Sequence, residues 1–149
     1  MRRIGQIAVG VLALALVVAS AAPAEAAPEK LKVTQLSRGS VEDEGLAKQA
    51  PRSGVISDRK RFAGLWKSWK AGGKVPAVDF RKEIILVVTT RGGRLLPLNA
   101  TLSEEGDLKF FAGATRDLRP GFRYIIASVP RAGVKTINGK KWGDSGPNP

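Results

Sequence analysis

Ile84-Ile85-Leu86-Val87-Val88-Thr89-Thr90 is an unbroken apolar, β-branched run. A strand of this kind offers no face to water, so it must be central in a sheet and covered on both sides. The clearest source of cover is a helix. Ser57 or Asp58 can cap its first amides, and Phe62, Leu65, Trp66 and Trp69 follow at i, i+3, i+4 and i+7, one stripe of a 3.6-residue period. The helix is expected over about Asp58 to Ala71, with Gly72-Gly73 stopping it.

Other strands are legible around these two elements. Leu96, Leu98, Ala100 and Leu102 alternate with polar or turn residues, and after Glu104-Glu105-Gly106-Asp107 the alternation resumes through Leu108, Phe110, Ala112 and Ala114. This predicts a hairpin with one face in the core. Phe122 to Val129 reads as a further long strand, and Asn138-Gly139 as the turn of a last hairpin between Val134–Ile137 and Trp142. Upstream, Leu31 to Leu36 and Ser53 to Ile56 are short extended stretches. Ser37 to Arg52, rich in Gly, Ser and acidic residues, reads as a loop. The fold class is α+β: a mostly antiparallel sheet with one amphipathic helix packed on it, in a single small domain. Residues 27–52 are expected as an N-terminal strand and loop, residues 53–142 as the domain proper, and residues 143–149 as a flexible tail.

The amino terminus has a different character. Arg2 and Arg3 precede an apolar run from Ile7 to Ala19, which at 13 residues falls short of the about 20 needed to span a bilayer. Ala24-Glu25-Ala26 supplies small residues at the spacing a signal peptidase accepts. Residues 1–26 are therefore expected to be a cleavable export signal, with a retained anchor as the alternative. The product is placed in a secreted or periplasmic location, with no stable membrane span after processing. Removing the signal takes away two Arg and one Glu and lowers the net charge from +12 to +11 over the remaining 123 residues. The chain has no Cys and no His, so packing alone must stabilise it in a compartment where disulfides form.

These absences also bound the chemistry. Gly143-Asp144-Ser145-Gly146-Pro147 looks like the nucleophile segment of trypsin-like proteases, but a serine nucleophile of that type needs a histidine base, and the chain has none. Transition-metal sites lean on Cys and His. Glu104, Glu105 and Asp107 lack the spaced pattern of a calcium loop, and Asp79 reads as a local turn residue. Gly72-Gly73-Lys74 follows a helix where a phosphate cradle would precede one. No catalytic residue, metal or cofactor is expected. Asn99-Ala100-Thr101 fits a glycosylation acceptor, within an expected strand. The helix aromatics could form a sugar platform, but their register favours core packing.

What is left is positive charge. Arg59, Lys60, Arg61, Lys67 and Lys70 lie on and around the helix, and Arg91, Arg94, Arg116, Arg119, Arg123 and Arg131 punctuate the strands and turns. Such charges can simply solubilise a surface, or they can attract an anionic protein or envelope partner. Arg59, Lys60, Arg61, Arg91, Arg94 and Arg123 are the candidate binding residues. Export argues against nucleic acid, and Arg91-Gly92-Gly93-Arg94 reads as a turn rather than an RNA-binding segment.

The succession Val55-Ile56-Ser57-Asp58, Phe62, Leu65-Trp66, Val78-Asp79-Phe80 and the strand Ile84 to Thr90 resembles the carboxy-terminal domain of PrcB-like proteins, over about Ser53 to Val134. The resemblance implies an exported bacterial accessory factor that helps stabilise a surface protease complex, with no catalytic residues to carry over. The chain departs from that pattern at Arg94, where an aromatic residue is common, and in having no lipoprotein cysteine. The combined expectation is an exported, non-enzymatic interaction domain. The competing expectation is a small carbohydrate-binding or hydrolytic protein using acidic residues.

Overall fold

The structure, a computed structural model, describes Ala24, residues 26–117 and residues 119–141. Most of the expected export signal, Trp142, and the tail with Ser145 lie outside the described residues. Among the described residues, nine strands and one α-helix follow in the order β1 (Glu29–Lys30), β2 (Thr34–Val41), β3 (Val55–Ile56), α1 (Arg59–Ser68), β4 (Glu83–Arg91), β5 (Asn99–Leu102), β6 (Asp107–Phe111), β7 (Phe122–Pro130), β8 (Thr136–Ile137) and β9 (Lys140–Lys141). The class is α+β, as the patterning predicts. Among the described residues no helix is long and apolar enough to cross a membrane.

Two sheets form, ordered β2-β7-β4-β3 and β1-β5-β6-β8-β9. The first is the centre of the molecule. β4 lies between β7 and β3, and β7 lies between β2 and β4, all antiparallel. Alternate side chains of β4 and β7 then enter two different cores. Ile84, Leu86, Ile125, Ala127 and Val129 pack against Ala100 and Leu108 of the second sheet and Leu98 just before it. Ile85, Val87, Phe122, Tyr124 and Ile126 pack under Phe62, Leu65, Trp66 and Trp69 of the helix region. The double cover demanded by the β4 run is thus a helix on one side and a second sheet on the other.

Asp58 caps α1, its carboxylate accepting from the Arg61 amide at 2.8 Å. The carboxyl end differs from expectation. Regular helix stops at Ser68, and Lys70 takes the left-handed conformation at φ 48°. The amide of Ala71 reaches back to the Trp66 carbonyl at 3.0 Å and that of Lys70 to Lys67 at 3.2 Å, so the last carbonyls are satisfied before Gly72 is reached.

The expected loop at Ser37 to Arg52 is also corrected. β2 continues to Val41, paired with β7 throughout, and Glu44–Gln49 forms a 3-10 helix capped by Asp43. A bulge shifts the β2 register between Gln35 and Ser37. Leu36 packs toward the helix-side core, and Ser37, one residue on, faces the same way, its hydroxyl donating to the Ala71 carbonyl. Downstream of this doubled step the alternation is inverted: Arg38 points to the second-sheet side, with its guanidinium on the Leu95 carbonyl, and Val41 enters the helix-side core.

The β5–β6 hairpin forms in the expected place, with Leu102 opposite Leu108. Its apolar alternation breaks at Pro97: Leu95 is buried, whereas Leu96 is 41% exposed. Asn138 and Gly139 both adopt positive φ, 49° and 77°, the conformation that a two-residue hairpin turn favours.

Candidate functional site

The antiparallel pairing of β4 with β7 sets the end of one beside the start of the other, with Thr90 opposite Arg123 and Arg91 opposite Phe122. β2 finishes at the same end, with Ser40 opposite Arg123. Three strands therefore deliver Arg91, Arg123 and Arg38 to one end of the central sheet. Beyond β4, the chain crosses under the segment from Thr115 to Asp117. The Arg94 amide donates to Thr115 Oγ1 at 2.8 Å, and the Thr115 amide to the Arg94 carbonyl at 2.9 Å.

This crossing explains Gly92-Gly93. A Cβ on Gly92, whose φ is +82°, would fall 2.6 Å from the Asp117 carbonyl oxygen, and one on Gly93 would fall 1.6 Å from that of Thr115. The Arg-Gly-Gly-Arg segment is a close backbone crossing that only glycine permits, and it carries Arg94 to the same end of the sheet.

Three adjoining depressions mark the surface there. One of about 350 Å³ is lined by Arg94, Thr115, Asp117, Arg119 and Arg123. A second, of about 210 Å³, shares Arg94 and Arg123 and extends to Arg38, Gly39 and Ser40 of β2. The third, about 410 Å³, shares Arg119 and adds Glu44, Arg91 and Pro120. Five guanidiniums thus face two carboxylates, Glu44 and Asp117. None of the five is in an ion pair among the described residues, where the salt bridge is that of Arg81 with Asp79 at 3.1 Å. Two are fixed by backbone carbonyls: Arg38 by Leu95 at 2.7 Å and Arg123 by Pro120 at 3.2 Å. A guanidinium stays charged over the whole physiological range and presents several N–H donors in a plane. Such a set can hold oxyanions and offers no proton through its guanidiniums.

Of the residues singled out in the sequence, Arg91, Arg94 and Arg123 come together. Arg59, Lys60 and Arg61 are exposed in the first turn of α1, where the helix dipole disfavours cations, and none of them lines the three depressions. Arg38 and Arg119 complete the site. Arg119 belongs to the wider set of cations named above, whereas Arg38 sits in the stretch expected to be a loop. Arg131 is engaged elsewhere, donating to the Phe80 carbonyl at 2.7 Å.

The acidic residues have local roles. Asp79 accepts from the amide and Nε of Arg81, both at 3.1 Å, and the side-chain bond from Arg81 holds its carboxyl below the usual range. Asp107 accepts from the Thr136 hydroxyl at 2.7 Å and the Gly139 amide at 2.8 Å, tying β6 to the last hairpin. Partial burial pushes this carboxyl up, but the two donors and the Lys109 charge together outweigh it and the net displacement is downward. Phe62, Leu65, Trp66 and Trp69 are core residues, each no more than 5% exposed, and form no sugar platform. Compared with known proteins, the chain matches no family model, no curated protein and no solved structure.

Proposed function

We propose that this protein is an exported, non-enzymatic interaction domain that docks on an anionic partner through the arginine-rich end of its central sheet. The observation that carries this reading is the convergence of Arg38, Arg91, Arg94, Arg119 and Arg123 around adjoining depressions, without ion-pair partners among the described residues. Cations scattered for solubility have no reason to gather around adjoining depressions, and like charges held together raise the local potential seen by an anion. The signal-like amino terminus and the resemblance to PrcB-like accessory factors support a role in association outside the cytoplasm.

The test is capture of the purified protein on an immobilised polyglutamate surface, with two variants that remove equal charge. Arg94→Ala/Arg119→Ala/Arg123→Ala is expected to weaken capture at least tenfold and to flatten its salt dependence. Arg59→Ala/Lys60→Ala/Arg61→Ala is expected to change it much less. Raising salt to physiological strength shortens the screening length to about 8 Å and slows association. Equal losses in both variants, or capture indifferent to salt, would overturn the reading. So would turnover of a substrate that vanishes with Ser145→Ala.

A further inference from the structure

We infer that the anionic partner presents an extended acidic peptide segment, which adds as a fifth strand to the free edge of β2 and sets its carboxylates against Arg38, Arg94 and Arg123. This inference rests on the docking reading above and names the occupant of the same site.

The central sheet ends on one side at β3, two residues long, and the second sheet ends at two-residue strands on both sides, β1 and β9. β2 is the exception: an edge strand of eight residues. Its ladder partner is β7, and among the described residues no backbone hydrogen bond outside that ladder reaches it. Long open edges invite strand addition and are usually blunted. Here positive charge guards the edge against a second copy, because self-pairing would bring together two chains that each keep a net charge of +11 once the expected signal is removed. The same charge admits an acidic strand.

The geometry joins edge and charge. The depression that contains Arg94 and Arg123 is bounded by Arg38, Gly39 and Ser40, so it opens along β2 itself. Arg38 and Ser40 lie on the second-sheet side of β2, as does Arg123 opposite Ser40. Partners directly across a ladder share a face, and residues two apart along a strand share it too. An incoming strand with carboxylates at alternate positions would turn all of them toward these guanidiniums while its backbone completes the β2 ladder, the mode of recognition in which the main chain gives affinity and alternate side chains give specificity. A polysaccharide would gain the charge contacts but not the ladder. It would also find no stacking surface, since the ring of Tyr124, the aromatic residue of this depression, is turned into the helix-side core and is 3% exposed.

The experiment uses a blocked ten-residue peptide of alternating Glu and Val, read by fluorescence anisotropy and by amide hydrogen exchange of residues 34–41. Saturable binding is expected, with at least tenfold slower exchange in β2. Both effects should be lost in Arg94→Ala/Arg123→Ala, a variant that leaves the Arg38–Leu95 bond in place, and in Arg38→Ala. Dextran sulfate is expected to bind through the same arginines without protecting β2. Peptide binding with unchanged β2 exchange, or equal protection by dextran sulfate, would overturn strand addition and leave the anionic docking reading standing. Concentration-dependent protection of β2 in the free protein would assign the edge to a second copy. Failure of polyglutamate, peptide and dextran sulfate alike to bind would remove both.

Discussion

The indole N–H of Trp69 donates to the carbonyl of Leu46 at 3.0 Å, fastening the 3-10 helix to the end of α1. Trp66, three residues earlier and equally buried, has no acceptor for its indole nitrogen among the described residues. Replacing each by Phe separates the two roles. Trp69→Phe forfeits a hydrogen bond and leaves a carbonyl to be satisfied, so it is expected to cost about 1 kcal/mol more than Trp66→Phe, which removes an unsatisfied donor. Trp66→Ala is expected to cost about 3–5 kcal/mol through the cavity it opens. Urea denaturation midpoints of the three variants measure this order.

One residue inside α1 and one just past its end are placed against intrinsic preference. Gly64 occupies the helix interior, where a Cβ would meet nothing within 4 Å, and Lys70 holds a left-handed φ of 48°. Gly64→Ala is expected to stabilise the protein by about 0.5–1 kcal/mol, and Lys70→Gly by about 1 kcal/mol through relief of the left-handed strain. Thermal melts of the single and double variants should show both gains, adding because the sites have no common partner.

Gly93 permits no such exchange. With its Cβ position 1.6 Å from the Thr115 carbonyl oxygen, Gly93→Ala must push the crossing segments apart, at an expected cost of about 1–3 kcal/mol or more. The variant should lose polyglutamate capture along with stability, because Arg94 and Arg119 are carried on the displaced segments. Amide exchange should localise the opening to residues 91–95 and 114–117.

Acid stability should depend on Asp107. Its folded-state carboxyl is held below the unfolded value, so its contribution is complete above about pH 4, the unfolded range for Asp, and drains away as pH falls through the folded value. Asp107→Ala is expected to lower the neutral-pH midpoint, by about 1.5–3 kcal/mol if both hydrogen bonds to the charged group are lost, and to shrink the fall in stability below pH 4. From pH 6 to 8 the chain, having no histidine, should show a flat profile. Denaturant midpoints against pH for both proteins check the two statements.

Legibility in the sequence followed the regularity of each element. β4 and β7 are long runs with both faces buried, and the Phe62–Trp69 stripe has a clean period, so composition and spacing suffice for them. β2 was not legible beyond Leu36. Thr-Gln-Leu-Ser-Arg-Gly-Ser-Val combines turn-forming residues with a bulge that breaks the period-2 signal. The site was half legible for a related reason. Arg59-Lys60-Arg61 is dense in sequence, yet it remains one exposed helix turn apart from the depressions. The residues that converge are spread from Arg38 to Arg123 and meet only through strand pairing. One signal was available: once β4 and β7 are read as antiparallel neighbours, Arg91 at the end of one and Arg123 at the start of the other must be close.

The doubled step at Leu36 and Ser37 gives β2 one residue of slack. Gln35 stands opposite Ala127 and Ser37 opposite the adjacent Ile126, so Leu36 is the extra residue of the ladder. Removing it would close the strand into regular alternation and leave Arg38, Ser40 and Val41 opposite their present partners. Downstream of the bulge no such slack exists: losing Gly39 would move Ser40 and Val41 each to the other face of the strand, turning Val41 out of the helix-side core. The arginine-rich end of the sheet therefore tolerates a change of residue count at Leu36 and not between Arg38 and Val41.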